Sequence, residues 1–395
     1  MKKLVLAYSG GLDTSYCAVH LTKDKEYEVH AVSVNTGGFT SEEIDQIQAN
    51  AYKMGVASYV NIDAVSEYYQ KVIKYLIFGN ILKNNTYPLS VSAERIIQAI
   101  KIIEYAKKKK ASYIAHGSTG AGNDQVRFDM IFQILAPEIK IITPIRDQKL
   151  SRQEEIAYLE SHGVEMPWTK AKYSINKGLW GTSVGGEETL TSKHPLPDSA
   201  YPSQLQKEGS EQVKLTFEKG ELVMVNDLKQ TPEKSIATLN DLAAAYAIGR
   251  DIHVGDTIVG IKGRVGFEAP GALVCIKAHH LLEKHTLTKW QLQHKEHLAS
   301  YYGMHLHEGQ YLDPVMRNIE VFLQSSQEMV SGDVFVRLKP YHFSLEGIES
   351  GHDLMNADFG SYGEMNSGWT ADEAKGFIKI VANQNKIYQQ VNSKS

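Results

Sequence analysis

Leu4-Val5-Leu6-Ala7-Tyr8-Ser9-Gly10-Gly11-Leu12-Asp13-Thr14-Ser15 joins an apolar run of strand character to a helical pattern through two adjacent glycines. Paired glycines admit left-handed backbone and let a ligand approach where a Cβ would otherwise stand. The helix that starts at once presents unpaired N–H groups and the positive end of its dipole, both suited to a phosphate. Ser9, Thr14 and Ser15 add hydroxyls, and Asp13 places a carboxylate in the first turn. The stretch reads as a phosphate cradle. It is neither a Walker A loop, which needs GxxxxGK[ST], nor the dinucleotide fingerprint GxGxxG.

Working outward, the first half alternates strand and helix signals. Strands are expected at Leu4–Tyr8, Glu28–Asn35, Ser58–Ile62, Ser112–His116 and Ile139–Ile145, with capping boxes at Thr40-x-x-Glu43 and Ser151-x-x-Glu154 between them. The expected fold class is α/β, with an N-terminal doubly wound parallel sheet whose ligands bind beyond the C-terminal strand ends. The loops after Tyr8 and after His116 both leave such ends, so they should face one crevice. A boundary is expected near Gly163–Lys172, where Pro167 and polar residues interrupt the pattern. Beyond it a hairpin is signalled at Lys219-Gly220, followed by helical runs and further strands, the pattern of a second, α+β domain. A last amphipathic helix opens at Thr370-x-x-Glu373. The expected division is 1–165, 166–365 and 366–395.

At 395 residues with a formal charge of −4, the chain carries no field that favours nucleic acid. Its one basic run, Lys107 to Lys110, falls where cations complement a helix C-terminus. Cys17 and Cys275 are too far apart in sequence for a CxxC pair and form no disulfide framework. With no apolar stretch near the ~20 residues of a membrane span and no signal-peptide pattern, a cytoplasmic protein is expected. The pairs His279-His280, His294-x-x-His297 and His305-x-His307 match no metal motif and read as packing or surface histidines.

The second polar loop is His116-Gly117-Ser118-Thr119-Gly120-Ala121-Gly122-Asn123-Asp124-Gln125-Val126-Arg127-Phe128. Its glycines expose backbone N–H groups, and Asn123 and Arg127 share a helix face at i, i+4. Asp124 can accept from an ammonium, Arg127 can fork onto a carboxylate, and Asn123 can do either. Such a set suits amino-acid zwitterions.

The strand–SGGxD[ST]S–helix form resembles the loop of the ATP pyrophosphatases, which grip the β and γ phosphates as a unit that leaves as pyrophosphate. On that resemblance Asp13 faces a phosphate-bound Mg²⁺. Together with the second loop, with Tyr87-Pro-Leu-Ser-Val-Ser92-Ala-Glu-Arg95 and with Tyr173-Ser174-Ile-Asn-Lys-Gly-Leu-Trp-Gly-Thr-Ser183, the chain resembles argininosuccinate synthase through most of its length. The resemblance implies that Ala7, Tyr8, Ser9, Gly10, Gly11, Leu12, Asp13, Thr14, Ser15, Val34 and Gly117 hold ATP. It implies Thr119, Asn123 and Asp124 for L-aspartate, and Tyr87, Ser92, Asn123, Arg127, Ser174 and Ser183 for L-citrulline. The implied reaction joins the two amino acids with release of AMP and pyrophosphate through a citrullyl-adenylate, in a homotetramer. The chain departs from the family at Ala121, where a lysine is usual, and at Gly255 and Phe267, where a Glu and a Tyr contact citrulline. Asp256 or Glu268 could substitute for the lost carboxylate. A tRNA thiolase would call for catalytic cysteines and a basic face, which the chain lacks. A non-catalytic ATP or amino-acid sensor is the other competing reading.

Overall fold

The five strands expected in the first half pair in parallel. In the computed structural model, which describes residues 1–166, 173–357, 362–363 and 368–393, they are β1 (Lys3–Ala7), β2 (Glu28–Asn35), β3 (Ser58–Asp63), β4 (Tyr113–Ala115) and β5 (Lys140–Ile142). Their order is β3-β2-β1-β4-β5. The chain therefore turns away from β1 in opposite directions after β1 and after β4, which makes the C-terminal end of β1 the switch point of the sheet. The glycine pair follows β1 and the second polar loop follows β4, so both loops meet there.

Successive residues of β1 feed opposite cores, as the twofold period of a strand requires. Leu4 and Leu6 pack with Tyr16, Val19 and Leu159 on one face, whereas Val5 packs with Ile96 and Ile103 of helix Ser90–Lys109 on the other. Both expected capping boxes form, at Thr40/Glu43 and at Ser151/Glu154. The fifth strand is shorter than the apolar run Ile139–Ile145 suggested, because Pro144 opens a separate helix, Pro144–Gln148. The boundary expected at Gly163–Lys172 lies mostly outside the described residues.

The second part carries β6 (Ser174–Gly178), β7 (Gly181–Gly185), β8 (Glu211–Glu218), β9 (Glu221–Val225), β10 (Leu228–Lys229), β11 (Arg250–Asp256), β12 (Lys262–Glu268), β13 (Gly332–Lys339) and β14 (His342–Glu349). They form two antiparallel sheets, β11-β12-β7-β6 and β10-β9-β8-β13-β14, interleaved with helices. The hairpin at Lys219-Gly220 forms as read, with both residues at positive φ. One apolar cluster runs without interruption from Val5 to Val334, so the two parts share a core.

Within that core lies a closed polar network. Lys295 and Glu283, both with 0% of the side chain exposed, meet at 2.8 Å, and Lys295 Nζ also donates to the Phe78 carbonyl at 2.8 Å. Gln327 and Asn80 donate to the Glu283 carboxylate, and His279 bridges Asn80 and Gln327. His279 is thus a packing histidine, as its sequence context suggested. At the C-terminus, helices Ala371–Val381 and Asn383–Asn392 bury no residue, and Phe377, Ile378, Ile380, Val381, Ile387 and Tyr388 lie exposed.

Candidate active site

Gly10 takes φ +78°, the left-handed turn that only glycine adopts cheaply, whereas Gly11 has an ordinary φ of −75° and serves by leaving the helix entrance open. Gly11 is the N-cap of helix Leu12–Val19 and offers no side chain to its first-turn N–H groups. Ser9 and Thr14 hydroxyls face each other at 3.3 Å across this opening. Ser15 Oγ is buried without a hydrogen-bond partner among the described residues. Tyr8, Leu12 and Val34 are buried under the turn, and the Ser33 hydroxyl donates to the Tyr8 carbonyl at 2.5 Å. The cradle is therefore rigid below and unsatisfied above.

Asp13 is not the lone carboxylate that its sequence context suggested. Glu155, from helix Arg152–Ser161, reaches it and shares a side-chain hydrogen bond with it. Glu155 is 3% exposed and its Oε2 has no hydrogen-bond partner among the described residues. Burial, then the Asp13 charge, push the Glu155 carboxyl up to about 8; burial also raises Asp13. A folded-state value above the unfolded one means that the protonated carboxyl stabilises the fold below pH ~4.5, and that this contribution is lost as pH rises through about 8. In Mg²⁺- and nucleotide-free buffer, thermal unfolding should show Glu155→Gln more stable than wild type at pH 9 by about 2–4 kcal/mol, and little different at pH 5.

The second loop packs against the first. A Cβ on Gly117 would lie 3.1 Å from the Asp13 carbonyl carbon, so close approach explains that glycine. His116 accepts from Ser118 N–H at 3.2 Å through Nδ1, which leaves Nε2–H to donate to Asp129 at 2.7 Å. Gln125 holds the Gly120 and Gly122 carbonyls. Arg146 packs its stem on Gly120 and pairs with Asp129 at 2.8 Å, which brings a cation beside the loop whose Ala121 supplies none. Thr119 lies exposed at the rim.

Asp124 receives two guanidiniums, Arg95 Nε and Arg127 Nη1, each at 2.9 Å. Burial alone would raise its carboxyl; the two arginines prevail and hold it below the usual range. Arg95 continues to Glu94 at 2.5 Å and to Asn176 Oδ1 at 2.8 Å, and Asn176 pairs across β6–β7 with Ser183. Arg127, 3% exposed, donates to the His307 carbonyl, to Asp124 and to Ser92 Oγ. Four of its five N–H groups are engaged, and one on Nη1 is left over. Tyr87 lies beside this group, its ring 5.1 Å from His253 and 5.4 Å from Phe267. Asn123 Oδ1 accepts from Ile258 N–H at 2.8 Å, which fastens the loop to the β11–β12 turn.

Ser92, Asp124, Arg127 and Ser183 thus belong to one network joined through Arg95 and Asn176, whereas the Tyr87 and Asn123 side chains border it, Tyr87 on Ser90, His253 and Phe267 and Asn123 on Ile258. Ser174 stands apart, exposed, two residues from Asn176 on β6. Neither acidic candidate fills the place of a carboxylate at Gly255: Glu268 is 4% exposed and tied to Arg250 and Ser203, and Asp256 pairs with Lys262 on the surface. Sequence reasoning gave no role to Arg95, Asn176, His253 or Glu155, and read His307 as a packing or surface histidine.

A parallel nucleotide-type sheet with an open phosphate cradle at its switch point, facing an ion-paired polar network, defines a nucleotide-dependent α/β enzyme of the HUP kind. The family model described as arginosuccinate synthase N-terminal HUP domain matches residues 3–165, and that described as arginosuccinate synthase C-terminal domain matches residues 173–388. Argininosuccinate synthase of Methanocaldococcus jannaschii is 36% identical over 389 residues, covering 98% of this chain and 97% of its own. That of Xanthomonas campestris pv. campestris is 36% identical over 403 residues, covering 99% of each, and that of Sulfurisphaera tokodaii is 34% identical over 392 residues, covering 98% and 99%. The chain belongs to the argininosuccinate synthase family. It is a ligase of arginine biosynthesis. Among the described residues no helix is long and apolar enough to cross a membrane.

Proposed function

We propose that the chain joins L-citrulline to L-aspartate at the expense of ATP in the crevice between the two loops. The observation that carries this reading is the contact of Gly117 with Asp13, which sets the phosphate cradle against the amino-acid loop. In the first step the ureido oxygen of citrulline attacks the α-phosphorus; the bond to the β-phosphate oxygen breaks and pyrophosphate leaves. In the second, the aspartate amine attacks the ureido carbon, the carbon–oxygen bond breaks with AMP as leaving group, and the nitrogen gives up a proton. The protein's task is alignment and charge stabilisation.

ATP is assigned to Ala7–Ser15, Val34 and Gly117, where first-turn N–H groups and the hydroxyls of Ser9, Thr14 and Ser15 meet the departing pyrophosphate. Asp13 and Glu155 offer hard oxygen donors, and the unpartnered Glu155 Oε2 fits a cation there. These two residues would hold Mg²⁺, which when bound offsets the phosphate charge. Aspartate is assigned to Thr119, Asn123 and Asp124. Citrulline is assigned to Tyr87, Ser92, Asn123, Arg127, Ser174 and Ser183, with its carboxylate on the free Nη1 N–H of Arg127.

The division at 165 and 365 is retained, as is a cytoplasmic setting. Subunit association is supported by the apolar face left open on helices Ala371–Val381 and Asn383–Asn392, and the number four is taken from the family resemblance. Light scattering should read a four-chain mass. The functional reading is tested by pyrophosphate release from the purified chain with ATP. Release that requires both amino acids supports it; release without either, or none with both, overturns it.

A further inference from the structure

Along β11 the buried positions are His253 and Gly255, with Val254 and Asp256 exposed between and after them, the twofold period of a strand. The His253 ring lies 5.1 Å from that of Tyr87 at an interplanar angle of 26°, and Phe267 of β12 flanks the same tyrosine. Asn84 donates to the Val254 carbonyl at 3.0 Å, which fastens this strand to the segment that carries Tyr87. The Tyr87 hydroxyl accepts from Ser90 Oγ at 3.2 Å and from Val91 N–H at 3.1 Å, so its own proton is left for a ligand.

Packing on Tyr87 needs only a flat ring, and Phe267 serves that purpose without a polar atom. His253 brings two nitrogens as well. It is 6% exposed, and its Nδ1 is buried without a hydrogen-bond partner among the described residues. A buried polar atom left unpaired destabilises the free protein, so packing alone does not account for the histidine. His307 differs, since its ring meets Arg127, Ser92 and the Asp256 backbone. The His253 ring also takes the space that a side chain at 255 would need, because a Cβ on Gly255 would stand 2.6 Å from His253 Nε2. Burial first, then the charge of Lys83, hold the ring below its ordinary value. At neutral pH it is uncharged and keeps one N–H and one lone pair.

We propose that His253 is a specificity-determining residue whose ring lone pair accepts a hydrogen bond from the α-ammonium of citrulline, in the space that a side chain at 255 would otherwise fill. This inference rests on the assignment of citrulline to Tyr87 and Arg127. Tyr87 links the two groups: it stacks on His253, and it lies close enough to Arg127 for the guanidinium to act on its hydroxyl. In an α-amino acid the ammonium is bonded to the carbon that carries the carboxylate. A carboxylate on Arg127 therefore brings its ammonium toward the ring stacked on Tyr87. Asp124, 2.9 Å from Arg127 Nη1, supplies negative charge nearby, and His253 adds a directed acceptor. Lys83 serves the same end by keeping a second proton off the lone pair.

The test uses the purified chain with ATP and aspartate, and reads KM for L-citrulline from pyrophosphate release. The inhibition constant of 5-ureidopentanoate, which keeps the carboxylate and the ureido group but lacks the α-ammonium, is measured beside it. His253→Leu should raise KM for citrulline about ten- to a hundredfold, the loss of a hydrogen bond to a charged group. The inhibition constant and KM for ATP should change less than about threefold. His253→Gln, which keeps an acceptor, should recover most of the loss. His253→Ala combined with Gly255→Glu places a carboxylate in the vacated space, and should bind citrulline at least about tenfold better than His253→Ala alone. Thermal melts establish that each variant is folded, and the Gln and Glu variants carry the comparison should His253→Leu not fold. A parallel rise for citrulline and 5-ureidopentanoate, or no recovery in either the Gln or the Glu variant, would reduce His253 to a packing residue and overturn the proposal. An unchanged KM for citrulline in folded His253→Leu would overturn it alone, whereas no release by the wild type with citrulline would overturn the functional reading and this inference with it.

Discussion

Asp13→Asn is expected to lower kcat/KM for ATP by about 10²–10³-fold, a loss of about 3–4 kcal/mol of transition-state stabilisation. Asp13 is the one charged side chain in the turn Gly10–Ser15, and it lies where the two loops touch. Its neighbour Glu155 is held largely protonated by burial and by Asp13 itself, so the pair can present a second negative charge when a cation or a nucleotide complex arrives. Asparagine keeps the size and removes the charge that starts this response. The fold should not suffer, because burial already disfavours the ionised form of Asp13. Steady-state kinetics over a range of Mg²⁺, with a thermal melt as control, make the measurement. Undiminished turnover in a folded variant would reduce Asp13 to a helix-start residue.

The largest stability effect is expected far from the chemistry. Lys295→Met leaves Glu283 inside the core with its cation gone. Burial by itself would raise the Glu283 carboxyl; His279 and Lys295 at present hold it below its ordinary value. Breaking a buried pair on one side costs about 3–5 kcal/mol, since the remaining charge is left uncompensated. Urea unfolding should show that loss. Lys295→Met combined with Glu283→Gln should recover part of it, because the double variant no longer buries a lone charge. A loss below about 1 kcal/mol in the single variant would mean that Asn80 and Gln327 alone satisfy the carboxylate.

What was legible in the sequence and what was not divides along chain separation. The phosphate cradle is local: Ser9 to Ser15 carry the turn, the helix entrance and the hydroxyls within seven consecutive positions, and the geometry follows the reading. The capping boxes at Thr40 and Ser151 are local too, and both form. The end of β5 was misjudged because an apolar run does not reveal where Pro144 will start a helix. Arg127 and His307 are 180 residues apart, and Arg95 and Asn176 are 81 apart. No spacing rule links such pairs. Glu155 was hidden for the same reason, since its capping-box helix looks like any surface helix until it is laid beside Asp13. A signal for Arg95 was present all the same: it sits three residues from Ser92, on the same helix face.

The Asn123–Ile258 hydrogen bond reaches beyond local geometry. Ile258 belongs to the tip between β11 and β12, where Val259 and Ile261 are 46% and 61% exposed. The outer end of that tip is open to solvent, while its inner end holds the amide on which the amino-acid loop is hung. An antibody fragment or small binding protein that gripped Val259 and Ile261 would pull on Asn123 without entering the crevice. The tip is in effect a handle on the amino-acid loop, and a molecule that closes over it could silence the enzyme without resembling any of its substrates.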